Sequence, residues 1–147
     1  MTEPAFLLPR TDECSAPFWK GCTRGELLVQ ACASCGRRRM PPRPMCPHCR
    51  SLDQRWERMS GKATVWSFVV AHLPLLPAYA AEAPYNVIVV ALEEDPSIRF
   101  VGNLVATADG PLGEVDPVTI EIGEPVEICF GAEHDGIAMP RWRRPEA

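Results

Sequence analysis

From Lys62 onward, apolar and polar positions alternate in short runs, the period of two that half-buried strands impose. Ala63 to Val70 sets Trp66, Phe68 and Val70 on one face and Ala63, Val65, Ser67 and Val69 on the other. The face with Trp66 and Phe68 is expected in the core. Asn86 to Leu92 is apolar on both faces, as a central strand is. Ile98 to Val105 alternates again, with Ile98, Phe100, Gly102 and Leu104 together and Arg99 and Asn103 pointing away. Pro125 to Phe130 gives a fourth strand. The type I′ turn signal Asp135-Gly136 folds Ile137 to Trp142 back as a fifth. Five short strands, with Gly102 available for a bend, predict a small closed barrel of the OB type. A long loop, His72 to Tyr85, separates the first two strands and carries Pro74, Pro77 and Pro84. Loops of that length in compact domains are usually functional.

The N-terminal part is patterned differently. Residues 1 to 14 show no periodicity and read as a mobile arm. A short helix follows, with Ser15 as N-cap, Pro17 in the first turn, Phe18 and Cys22 one turn apart on one face, and Gly25 as the stop. Leu27 to Ala31 then reads as a strand leading into Cys32-Ala-Ser-Cys35. Ten residues later comes Cys46-Pro-His-Cys49, with Pro41, Pro42 and Pro44 stiffening the connection. Each C-x-x-C makes a tight knuckle whose two sulfurs aim at one ion. Together Cys32, Cys35, Cys46 and Cys49 complete a tetrahedral shell with no position open for water or substrate. The expected role is a structural zinc, with iron accepted by the same four thiolates. Two disulfides, or His48 replacing one cysteine as ligand, are the competing arrangements. The change of pattern divides the chain into residues 1–58 and 59–147.

Charge follows the same division. Residues 1–58 hold ten Lys/Arg against six Asp/Glu, or +4, and residues 59–147 five against thirteen, or −8; the sum is the net −4 of the 147-residue chain. Four thiolates on a divalent ion leave −2, which Arg37, Arg38, Arg39, Arg43 and Arg50 beside the knuckles can compensate. The surplus is available to phosphate or to an acidic partner. The start Met-Thr-Glu-Pro-Ala has no secretory pattern, and the longest apolar run, Val87 to Leu92, is far too short to span a bilayer. A soluble protein of a reducing cytoplasm is the expectation.

Catalytic constellations are not visible. None of His48, His72 and His134 sits in a recognisable pair with a nucleophile or carboxylate, and no phosphate-cradling glycine loop occurs. His72 opens the long loop and is either solvated or in a substrate channel. Cys22 and Cys129 read as small buried hydrophobes, and Cys14 has no base beside it. Trp19, Tyr79, Tyr85 and Trp142 are candidates for a partner surface. Arg141, Trp142, Arg143 and Arg144 form a basic and aromatic tail.

Phe18-Trp19, Leu27-x-x-Gln30-x-Cys32-x-x-Cys35-Gly36, Pro41-Pro42-Arg43-x-x-Cys46-Pro-x-Cys49, Ser60-Gly61-x-x-x-Val65, Pro84-Tyr85 and Met139-Pro140 together resemble the DUF35 family over residues 15 to 143. Arg50 departs from the glycine that many members carry after the second knuckle. The resemblance implies a mainly β protein in which a short N-terminal helix and a rubredoxin-like zinc ribbon precede a five-stranded OB-fold barrel. It implies a non-catalytic accessory subunit in a hetero-oligomer with a thiolase-like catalytic chain, an aldolase of steroid side-chain type or an acyltransferase, with acyl-CoA at the shared interface. Phe18, Trp19, Arg38, His72, Tyr79, Tyr85, Arg141 and Trp142 are the candidates for the substrate or partner surface. Two other classes compete: a nucleic-acid-binding ribbon and barrel, and a rubredoxin-like electron carrier. Residues 59–140 hold two basic and twelve acidic residues, and a barrel at −10 repels a phosphate backbone.

Overall fold

The computed structural model describes residues 6–147. The helix α1 spans Ala16–Thr23. The hydrogen bonds at its start reach one turn back to Asp12. Asp12 Oδ1 accepts from the Ser15 N–H at 2.7 Å while Ser15 Oγ accepts from the Asp12 N–H at 3.2 Å, a reciprocal capping box. Ser15 stands at the expected N-cap position, but its hydroxyl makes no cap bond into the helix. The stop is as expected: Gly25 sits at φ +73°, and the Gly25 and Glu26 N–H groups bond back to Cys22 and Gly21 carbonyls at 3.0 and 2.9 Å, a Schellman motif.

The ribbon is a three-stranded antiparallel sheet in the order β2-β1-β3, with β1 Leu27–Cys32, β2 Arg38–Arg39 and β3 Gln54–Met59. The barrel sheet has the order β6-β5-β4-β7-β8, with β4 Lys62–Ala71, β5 Tyr85–Leu92, β6 Arg99–Gly102, β7 Pro125–Phe130 and β8 Pro140–Arg143. Its ends meet. Leu104 bridges Trp142 in parallel, with the Trp142 N–H on the Asn103 carbonyl at 3.0 Å and the Val105 N–H on the Trp142 carbonyl at 2.8 Å, so the five strands curl into the OB-like form. Asp135 at φ 50° and Gly136 at φ 79° make the anticipated turn, and His134 and Ile137 exchange both backbone bonds across it.

Alternation predicts the facing of most strands, and one bulge changes it. β4 shifts register between Val65 and Ser67 on its partner β5. An extra residue there flips every later side chain to the other face. Trp66, expected in the core, is 51% exposed with the Arg99 guanidinium 3.9 Å from its ring centroid, while Phe68 still packs inward.

A single hydrophobic cluster joins ribbon and barrel. Phe18, Cys22, Leu27, Val29 and Met59 from the first 59 residues pack with Val65, Ile88, Val90, Leu92, Phe100, Leu104, Val126 and Trp142. Phe18 stacks on Phe100 with centroids 6.0 Å apart. Gly102 serves close approach more than bending, since a Cβ there would stand 3.0 Å from Trp142 Cδ1. The long loop contains a four-residue helix, α2 Pro77–Ala80. Of the N-terminal arm, residues 1–5 lie outside the described residues. Phe6 stacks on Tyr79 at 5.1 Å, so the segment from Phe6 is packed against the body.

Candidate metal centre and the adjoining cleft

The two knuckles are copies of one backbone design. Cys32 N–H bonds the Arg37 carbonyl and Cys46 N–H the Ser51 carbonyl, each at 2.9 Å. The Gly36 and Arg50 N–H groups return to the Cys32 and Cys46 carbonyls, also at 2.9 Å. Both turns therefore need a left-handed residue at the same place, and Gly36 takes φ 79° and Arg50 φ 64°. Arg50 thus follows the glycine's path at the cost that a Cβ carries there.

The result is a tight group of four sulfurs. Cys32 and Cys49 Sγ lie 3.5 Å apart, Cys35 and Cys46 Sγ 3.7 Å, and all four fall within 4.8 Å of one another. Metal–sulfur bonds of about 2.3 Å in a tetrahedron put sulfurs roughly 3.8 Å apart. The four thiols form a site for a structural metal. Cys32 and Cys46 are buried and Cys35 and Cys49 exposed. The Cys35 N–H turned toward Cys32 Sγ at 3.4 Å holds that thiol down to about 6, and the Cys49 N–H likewise lowers Cys46. At Cys49 the Ser51 N–H pulls the same way, but bonding to the other sulfurs outweighs it and pushes the thiol up to about 11. Sulfurs this close share their charge, and a cation relieves all four.

His48 is turned elsewhere. Its Nδ1 accepts from Arg37 Nη1 at 2.7 Å, across the two knuckles, and Ser34 and Ser51 hydroxyls meet at 2.8 Å beside it. Arg38 pairs with Glu57 at 3.4 Å and Asp95 at 3.5 Å, tying ribbon to barrel. Arg39 is buried, its Nη2 on the Arg43 carbonyl at 3.1 Å.

The predicted surface residues divide into three groups. Phe18, Trp19, Tyr79, Tyr85 and Arg141 come together around a cleft of about 480 Å³ between α1, the Met40-Pro41 connection, the long loop and strands β5, β6 and β8. Within it Phe18 is a core residue whose ring only floors the cleft. Arg38 lies on the ribbon and His72 at the exposed start of the loop, and neither reaches the cleft. Trp142 is 1% exposed, which corrects its assignment to a partner surface: the parallel bridge that closes the barrel draws it inside. The basic tail is likewise folded in. Arg141 is buried, Arg143 pairs with Glu127 at 3.0 Å, and Arg144 with Glu124 at 2.7 Å. Sequence reasoning missed Met40, Val87, Leu112 and Met139 as cleft residues, because no periodicity links positions on four separate elements.

A buried amide network holds the wall of the cleft. Asn86 donates to the Leu104 carbonyl at 2.9 Å and accepts from its N–H at 2.7 Å; Asn103 donates to the Asn86 carbonyl and accepts from Arg141 Nη1 at 2.9 Å. Such saturation is what buried polar groups require.

Two family descriptions match this arrangement: the ChsH2 rubredoxin-like zinc ribbon domain over residues 19–53 and the ChsH2 C-terminal OB-fold domain over residues 56–131. A DUF35 domain-containing scaffold protein of Methanothermobacter thermautotrophicus is 34% identical over 108 residues, 73% of each chain. The chain belongs to the DUF35 family. A probable enoyl-CoA hydratase alpha subunit of Thermomonospora curvata is 36% identical over 96% of this DUF35 chain. A 3-oxo-4,17-pregnadiene-20-carboxyl-CoA hydratase alpha subunit of Mycobacterium tuberculosis is 32% identical over 94%. The chain spans only 41% and 38% of the length of those two relatives. Among solved structures, the Ltp2-ChsH2(DUF35) aldolase is similar at 34% identity and a TM-score of 0.79, covering 93% of this chain and 98% of that one. A DUF35 protein of Sulfolobus solfataricus, 14% identical with a TM-score of 0.60 over 92% and 87%, shares the fold. No helix among the described residues is long and apolar enough to cross a membrane.

Proposed function

We propose that this chain is a non-catalytic accessory subunit of an acyl-CoA enzyme. It docks on a thiolase-fold catalytic chain of the aldolase or acyltransferase kind and helps form the acyl-CoA channel. The observation that carries this reading is the likeness to the Ltp2-ChsH2(DUF35) aldolase along nearly the whole of both chains. In this reading Cys32, Cys35, Cys46 and Cys49 hold a structural zinc. Its chemistry is to fix four thiolates in one geometry, and the ribbon then holds α1 against the barrel. Trp19, Tyr79 and Tyr85 at the cleft offer the aromatic surface that partner interfaces favour.

The histidines support the same view. His48 is engaged by Arg37, His72 is exposed, and His134 closes a hairpin through its backbone. The arginines weigh against nucleic acid, since Arg38, Arg55, Arg143 and Arg144 are each paired with a carboxylate of this chain.

Copurification of the tagged chain from its native host tests the proposal. The expected outcome is recovery with a stoichiometric second chain that acts on an acyl-CoA; recovery alone, at native expression and low salt, counts against it.

A further inference from the structure

Three consecutive-register arginines of β8 and its end have unlike surroundings. Arg143 and Arg144 each meet a glutamate, whereas Arg141, 9% exposed and on the cleft wall, has no carboxylate within ion-pairing distance among the described residues. Its side-chain hydrogen bond goes to a neutral group, the Asn103 Oδ1 at 2.9 Å, and the Phe6 ring lies 5.6 Å from its guanidinium carbon. The acids of the neighbouring loops are engaged elsewhere: Asp109 Oδ1 accepts from the Ala132 N–H and Glu82 Oε2 from the Leu112 N–H, both at 2.8 Å. Burial holds the guanidinium below its usual range, against the opposing pull of nearby negative groups that include Asp109 and Glu82. A buried cation whose direct hydrogen bond goes to a neutral amide gains from an anion that reaches it.

The space beside Arg141 is apolar and of ligand size. Trp19, Tyr79, Tyr85, Phe100 and Leu112 wall a cleft of about 480 Å³, inside the range of roughly 300–1,000 Å³ typical of small-molecule sites. The other arginine on its rim, Arg99, has its guanidinium on Trp66. One positive charge that has no ion pair among the described residues, set at an apolar wall, selects a ligand with one negative charge and a hydrocarbon body. Polyphosphates fit poorly, because a single guanidinium cannot offset several phosphates in a region where residues 59–140 sum to −10.

We propose that the cleft is a binding site for an apolar monocarboxylate, whose ionised carboxyl pairs with Arg141 and whose hydrocarbon body packs along Trp19, Phe100 and Leu112. The pairing is fork to fork, two guanidinium N–H groups on two carboxylate oxygens. The site is complete in this chain and stands whether or not a partner adds an acyl-CoA channel.

The test uses the full metal-loaded chain with dodecanoate, dodecanol, inorganic phosphate and coenzyme A, followed by tryptophan fluorescence and calorimetry below the concentrations at which micelles form. Dodecanoate is expected to bind one to one and at least about tenfold tighter than dodecanol, since hydrogen bonds to charged groups are worth that much or more. Phosphate and coenzyme A are expected not to compete. In Arg141→Met the preference for dodecanoate should vanish while dodecanol binding stays. Equal affinity of dodecanoate and dodecanol for the unmutated chain overturns the proposal, and so does competition by inorganic phosphate. The comparison on the unmutated chain decides the matter even if Arg141→Met fails to fold.

Discussion

The ribbon and the barrel are both small antiparallel sheets, yet they are held together by different means. Inside the barrel, Val65, Ile88, Val90, Leu92, Leu104, Val126 and Trp142 are all essentially removed from water. The ribbon's buried positions are Cys32, Cys46, Ala31, the polar Gln30 and Arg39, and Leu27, Val29 and Met59, which face the barrel cluster. Gln30 is satisfied by Gln54 and by the Arg43 N–H at 2.8 Å, so even its polar interior is cross-linked by hydrogen bonds. A sheet with so little apolar interior of its own depends on the metal and on its neighbour, whereas the barrel rests on area removed from water.

Metal removal should break the comparison most severely. Structural zinc contributes on the order of 10 kcal/mol in isolated zinc peptides, so Cys46→Ser or a strong chelator should unfold the ribbon. Amide hydrogen exchange is the measurement: protection should collapse over residues 27–59 and persist over 85–92. Retained protection at both sheets would sink the idea that the metal is the ribbon's main support. Next in size is Trp142→Ala, expected to cost about 3–5 kcal/mol, as such truncations of buried tryptophan do. Chemical denaturation should show the barrel weakened while metal affinity changes little.

A smaller effect of opposite sign is expected at the second knuckle. Arg50 carries a Cβ at φ 64°, and Arg50→Gly should stabilise the holo ribbon by about 1 kcal/mol, read as slower metal release to a chelator. No gain would mean that the Arg50 side chain makes a compensating contact. The least effect concerns acid. Desolvation acts to raise the Glu124 carboxyl, but Arg144 at 2.7 Å and the Glu121 N–H outweigh it, so its folded value lies below the ordinary 4.5. A lowered carboxylate stabilises the fold above that ordinary value and loses the contribution as pH falls through the folded value. Glu124→Gln should therefore lower neutral stability by the small contribution of this pair, leave stability at pH 3 nearly unchanged, and so flatten the barrel's acid sensitivity below about pH 4.5 by the same amount. Urea midpoints between pH 3 and 7 measure this.

Local chemistry was legible where a short stretch dictates its own geometry. The paired knuckles, the Gly25 stop and the Asp135-Gly136 turn all involve bonds within a few residues, and all three form as the residues indicate. β3 escaped notice because Gln54 to Met59 carries three charged residues and no clean alternation; its pairing along the whole of β1 supplies what its own pattern lacks. The facing of Trp66 depended on a bulge that no residue type in β4 announces. The cleft was legible only as scattered aromatics, since its walls come from segments far apart in the chain, from α1 to β8.

By itself the sequence determined a mainly β chain with a four-cysteine site, a helix stop, a hairpin turn and a charge split between its halves, because each is set by spacing or count along the chain. Tertiary structure alone decided that Trp142 is core and that Arg141 is a buried cation on an apolar wall with no ion pair among the described residues. Neighbouring residues on a strand point opposite ways, and what each then meets depends on where the barrel closes, a long-range pairing between Leu104 and Trp142 that no local pattern encodes.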